Sequence, residues 1–64
     1  MIDPHSRDSV GNTPLHIAAE RNLLEVARWL CEEKGARTDV LNNHNLVPAE
    51  VALKMGHTEV GAYL

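Results

Sequence analysis

The sequence predicts an all-α fold: a solenoid of helix–turn–helix units with hairpin loops projecting from it. Two observations carry this. The segment opening at Thr13-Pro14-Leu15-His16-Ile17-Ala18 returns in weaker form around Pro48-Ala49-Glu50-Val51-Ala52, which places Pro14 and Pro48 34 residues apart. Recurrence at that period marks a stacked array, and such arrays mostly bind proteins. In addition, the apolar residues after Leu23 fall at helical spacing.

Aligned on the two prolines, Ala18 falls with Ala52, Glu25 with Glu59, Val26 with Val60 and Leu30 with Leu64. Ile17 with Val51 and Trp29 with Tyr63 are conservative partners. In the first copy Thr13 can cap a helix with its hydroxyl, while Pro14 takes the first helical position, where its missing N–H costs nothing. That helix should run to about Glu20 or Arg21. Asn22 then stands where a left-handed residue must turn the chain, a role taken by Gly56 in the second copy.

From Leu23 the apolar residues are Leu23, Val26, Ala27, Leu30 and Cys31, the i, i+3, i+4, i+7, i+8 stripe of an amphipathic helix. Glu25, Arg28 and Glu32 fall on the other side. Lys34 lies near the helix end, where a cation complements the dipole, and Gly35 supplies a left-handed stop. Between Gly35 and Pro48 the cluster Asn42, Asn43 and Asn45 predicts a projecting loop or hairpin. The segment from Asp3 to Gly11 has the same character. The expected organisation is one domain: a hairpin of a preceding unit in 1–12, unit one at about 13–41, and an incomplete unit two at about 42–64.

Composition narrows the function. The 64 residues are 44% hydrophobic, with Trp29 and Tyr63 as the aromatics, so the core must be small and aliphatic. Nine acidic against six basic residues give a net charge of −3 with the signs interspersed. No basic stripe exists to neutralise a phosphate backbone, so nucleic acid is not an expected partner. Apolar runs are a few residues long, against the roughly 20 needed to cross a bilayer, so no membrane is expected either. A single cysteine, Cys31, and no secretory leader pattern predict an intracellular setting, cytoplasmic or nuclear.

These residues resemble the ankyrin repeat. Thr13-Pro14-Leu15-His16-Ile17-Ala18 fits its T-P-L-H-x-A signature. Gly35-Ala36 resembles the family's exit from the second helix, Gly11 its hairpin glycine and Gly56-His57 its interhelical turn. Lys34 resembles a one-residue insertion into a unit of 33. Asn45 stands in the place of Gly11 and Asn22 in that of Gly56, and asparagine is the side chain best able to adopt positive φ. Val47, Ala49 and Glu50 replace Thr13, Leu15 and His16, which makes the second copy similar to a C-terminal capping repeat. The resemblance implies a fragment of a longer array, or self-association through exposed repeat ends.

Candidate chemistry is sparse. His5, His16, His44 and His57 lie in different segments without paired ligand spacing, so no metal is expected. Cys31 reads as a small core residue rather than a nucleophile. Glu20, Glu32 and Glu33 read as solvated charges. With no phosphate loop and no Ser/His/Asp arrangement, the chain is not expected to be an enzyme or to hold a cofactor.

The resemblance places partners on the concave side, made by hairpin tips and first helices. Carried over by position, that surface comprises Ser9, Val10, Asn12, Glu20 and Arg21 in the first unit, with Asn43, His44, Leu46, Lys54 and Met55 in the second. Val10, Leu46 and Met55 are the apolar anchors of this set. The expected function is a module that binds a protein or peptide there. Two alternatives are a structural spacer or self-assembly element of a larger protein, and an inhibitory arm acting on an enzyme such as a kinase. The last rests on the resemblance of Gly35-Ala36-Arg37, Asp39-Val40, Pro48 and the Gly56-His57 to Leu64 segment to the final repeats of ankyrin-type kinase inhibitors.

Overall fold

The computed structural model describes residues 3–64 and contains four helices: α1 (Pro14–Glu20), α2 (Leu24–Glu33), α3 (Pro48–Lys54) and α4 (Thr58–Tyr63). No strand occurs among the described residues. The two prolines open α1 and α3, as the repeat requires.

The two helix starts are closed by different chemistry. Thr13 is extended (φ −83°, ψ 168°), and its N–H donates to His16 Nδ1 at 3.1 Å. The Thr13 hydroxyl turns to the same ring nitrogen at 2.8 Å. The hydroxyl can donate to the ring and still accept from the helix backbone, and the reciprocal capping box of Thr13 and His16 is present, as the sequence predicts. Val47 has no side-chain acceptor, and Glu50 takes over the reciprocal half of the capping box: Val47 N–H donates to Glu50 Oε1 at 3.1 Å. The carboxylate also sits favourably at the positive end of the helix dipole.

The exits of α1 and α3 are Schellman closures. Leu23 N–H reaches the Ala18 carbonyl at 2.9 Å, and His57 N–H reaches that of Ala52 at 2.8 Å. The left-handed residues they need are Asn22 (φ 58°) and Gly56 (φ 80°). The exit of α2 is wider: Ala36 N–H reaches back six positions to the Leu30 carbonyl at 3.0 Å, so Lys34 is absorbed as a spare residue in the closing turn.

Within each pair the second helix folds back on the first, and the pairs stack side by side, α1 against α3 and α2 against α4. The buried core is Leu15, Ala18 and Ala19 of α1, Ala27 and Leu30 of α2, Ala52 of α3 and Val60 of α4. Four alanines in that set let the helix axes approach closely, and Leu24, Cys31, Val51 and Leu64 close around them half-buried.

The predicted stripe on α2 needs one correction. Ala27 and Leu30 are buried, but Leu23 and Val26 are each 41% exposed, and the helix begins at Leu24 with Leu23 as its N-cap. The counterpart of Val26 is Val60, which is fully buried because the first pair covers it. Periodicity identifies an apolar stripe without saying which part of it a neighbour covers.

The hairpins are near copies of one another. Asp8 Oδ1 accepts the N–H groups of Val10 and Asn12 at 3.0 and 2.9 Å, and Asn42 Oδ1 accepts those of His44 and Leu46 at 2.9 and 3.1 Å. Each turn passes through one left-handed residue, Gly11 (φ 77°) or Asn45 (φ 60°). The hairpins are joined by Asn43 N–H to the Val10 carbonyl at 3.0 Å and by Asn42 Nδ2 to Asn12 Oδ1 at 2.9 Å.

Candidate functional site

Stacking the pairs brings both hairpins and the ends of α1 and α3 around one groove of about 400 Å³. Val10 and Asn12 enter it from the first hairpin, and Asn42, His44 and Leu46 from the second. Glu20 comes from the end of α1, and Val51, Lys54 and Met55 from α3 and its C-cap. Neither α2 nor α4 contributes to the lining.

The hairpins are held over the helices by His16. Its ring is fully buried, Nδ1 accepts the Thr13 N–H, and Nε2 therefore carries the proton donated to the Leu46 carbonyl at 2.8 Å. This side chain fixes the height of the second hairpin above α1. His57 repeats the device at the other end of the helices, with Nε2 donating to the Glu20 carbonyl at 3.1 Å. Such ties fix the groove walls in one geometry.

Seven of the ten residues expected on the partner surface line the groove: Val10, Asn12, Glu20, His44, Leu46, Lys54 and Met55. Ser9 and Asn43 stand outside it at the hairpin tips, where Asn43 Nδ2 donates to the Ser9 carbonyl at 3.3 Å. Arg21 is exposed beyond the end of α1. Sequence reasoning missed Asn42, whose side chain it reads only as a turn former, and Val51, which it reads only as the repeat partner of Ile17. The groove has an apolar floor of Val10, Leu46, Val51 and Met55, with one carboxylate, Glu20, and one ammonium, Lys54, at equivalent helix ends.

A second, shallower hollow of about 540 Å³ lies between His5, Arg7 and the segment from Arg37 to Leu41. His5, Arg37 and Asp39 engage one another there. Arg37 forms a two-pronged pair with Asp39 at 3.0 and 2.9 Å, and Arg37 N–H donates to His5 Nε2 at 3.2 Å. The guanidinium hydrogen bonds hold the Asp39 carboxyl below the usual carboxylate range.

On the helix side opposite the hairpins, partial desolvation and the Glu32 carboxylate, to which Tyr63 donates at 3.1 Å, push the Tyr63 phenol up. Burial, then Glu32, pushes the Cys31 thiol up. No three His, Cys, Asp or Glu side chains converge as a metal site among the described residues, and no helix there is long and apolar enough to cross a membrane.

Two stacked helix pairs, each opened by proline and topped by a hairpin, define the class: a helical repeat solenoid. Comparison with known proteins names the family. The model for ankyrin repeats (many copies) matches residues 2–52, and the chain belongs to the ankyrin repeat family. It is 37% identical over 59 residues to an I-Kappa-B like protein C2 of Microplitis demolitor bracovirus, covering 91% of this chain and 33% of that protein. It is 36% identical over 56 residues to the human transient receptor potential cation channel subfamily A member 1, covering 88% of this chain and 5% of the channel. Among solved structures, a chain in the crystal structure of the yeast ribosomal protein Rps3 in complex with its chaperone Yar1 is 30% identical. It superposes with a TM-score of 0.90 over 95% of this chain and 41% of its own length. The chain thus spans a third or less of these two curated relatives. Ankyrin repeats are protein-interaction modules.

Proposed function

We propose that the groove between the hairpins and the ends of α1 and α3 binds a protein or peptide partner. The observation that carries this is the convergence of Val10, Leu46, Val51 and Met55 on one hollow rimmed by Glu20 and Lys54. Met55 is 54% and Val10 42% exposed, so both lose water contact when a partner side chain enters. Glu20 and Lys54 are the last residues of stacked helices and present opposite charges about one helix spacing, ~8–10 Å, apart. A partner with an apolar anchor flanked by a basic and an acidic group matches them, and the charges set its register. The solved relative comes from a complex between two proteins, which supports a protein as the occupant here.

The test is selection of random displayed peptides on the whole chain, followed by affinity measurement on variants. Peptides that occupy the groove lose about tenfold or more in affinity on Met55→Asp and Lys54→Glu, a factor worth about 1.4 kcal/mol. Arg28→Glu, on α2 away from the groove, leaves affinity unchanged. Selected peptides that bind all three variants as tightly as the parent place the interaction on another face.

A further inference from the structure

On the hairpin side of the groove the backbone N–H groups are engaged by the hairpins themselves. Val10 and Asn12 donate to Asp8 Oδ1, and His44 and Leu46 donate to Asn42 Oδ1. Asn42 N–H donates to the Leu46 carbonyl at 3.0 Å. Asp8 N–H donates to the Asn12 carbonyl and Asn43 N–H to that of Val10, each at 3.0 Å. A partner strand that adds to a sheet edge needs a row of open backbone groups. These residues leave it no N–H, so the groove does not hold a partner by extending the hairpin backbone.

One side chain supplies what the backbone lacks. Asn42 Oδ1 already accepts two backbone N–H groups, so the other end of that amide is its NH2. Facing it at 2.9 Å, Asn12 must present its oxygen. The Asn12 orientation follows: Oδ1 is bound to the neighbouring hairpin, and Nδ2, with two hydrogens, has no acceptor among the described residues. Asn42 is 7% exposed and Asn12 half-buried, so this amide pair is part of the groove wall. The His44 and Lys54 side chains are exposed, and neither is hydrogen-bonded among the described residues, so nothing fixes where they point.

Asn12 thus offers a fixed donor in a groove that also holds Val10 and Leu46. Covering it with apolar atoms alone would strip the amide of water and give it no partner, which costs more than a made bond contributes. The occupant must bring an acceptor. A helix uses its interior carbonyls in its own ladder, whereas an extended segment leaves each one open. Every extended residue that lowers an apolar side chain into the groove also brings such a carbonyl. A partner carboxylate is the poorer match, because Glu20 lines the same groove.

We propose that the groove takes an extended peptide, with a main-chain carbonyl accepting from Asn12 Nδ2 and the side chain beside it entering among Val10, Leu46 and Met55. Asn12 then distinguishes an extended partner from an amphipathic helix. The proposal rests on the groove reading, and its test separates the two.

Peptides selected on the parent chain are measured against Asn12→Asp. This substitution keeps an oxygen for Asn42 Nδ2 and replaces the free NH2 by a second acceptor, and an unchanged urea midpoint checks that the hairpins stay tied. Affinity should fall about tenfold or more. Replacing peptide amides by esters one at a time weakens each carbonyl as an acceptor in turn. One position should cost about threefold or more on the parent and nothing further on Asn12→Asp. Nuclear Overhauser contacts within the bound peptide should be sequential, without the i to i+3 pattern of a helix; this readout needs the parent chain alone.

Peptides that lose affinity on Met55→Asp and Lys54→Glu yet bind Asn12→Asp within about twofold overturn this proposal and leave the groove reading standing. So do groove-bound peptides that are helical, or an ester scan in which no position's cost depends on Asn12. Peptides indifferent to all three variants overturn both.

Discussion

Nε2 of His16 lies 2.8 Å from the carbonyl oxygen of Leu46, so one buried ring ties the start of α1 to the hairpin of the neighbouring pair. His16→Ala would leave that carbonyl and the Thr13 N–H without their partner and open a cavity beneath them. The expected loss is about 2–4 kcal/mol, combining an unsatisfied polar group with a large-to-small change in the core. Urea denaturation measures it; a loss below about 1 kcal/mol would mean that water replaces the ring without penalty.

Asn22 turns the chain between α1 and α2 at φ 58° with its side chain exposed. Asn22→Ala places a Cβ-bearing residue without a compensating amide in the left-handed region and should cost about 1 kcal/mol. Asn22→Gly should stay within about 0.5 kcal/mol of the parent, since glycine enters that region freely but loosens the unfolded chain. Thermal melts of the three chains should therefore rank alanine below the other two.

The Arg37–Asp39 pair gives a pH signature. Because the Asp39 carboxyl is held low in the folded chain, its contribution to stability is present above the ordinary carboxylate range and disappears as pH falls through the lowered value. Both side chains are about two-thirds exposed, so salt screens the effect. A carbon-detected NMR titration should find Asp39 titrating below the ordinary carboxylate range, and Arg37→Gln should return it toward that range.

Cys31 should be a slow thiol. It is half-buried among core residues with Glu32 beside it, and both features keep the thiolate population small at neutral pH. Alkylation by iodoacetamide at pH 8 should run ~5-fold or more slower in the folded chain than in the same chain in urea. Equal rates would show that the site is open to water.

Where a single residue type answers a local backbone demand, the sequence was readable. Pro14 and Pro48 mark helix starts because φ is already set there, and Asn22 and Asn45 mark left-handed turns because little else with a side chain goes there. Contacts between the pairs were harder to read. Nothing local in Val26 distinguishes it from Val60, yet one is exposed and the other buried, since only a neighbouring pair decides. Asn42 was hidden for the opposite reason: its role in the turn masked a side chain that also reaches Asn12 and borders the groove. Ser9 and Asn43 occupy one repeat position at the hairpin tips, outside the lining, and Arg21, the repeat equivalent of Met55, is exposed beyond the end of α1.

Trp29 is the chain's one indole, and it shares the exposed ridge of α2 with Val26, the Lys34 ammonium lying 5.2 Å from its ring centroid. Its emission is therefore an intrinsic optical gauge of that end of the molecule, needing no label. Anything that settles on the ridge strips water from the ring and shifts its spectrum to the blue, while an occupant of the distant groove leaves the colour of its light unaltered.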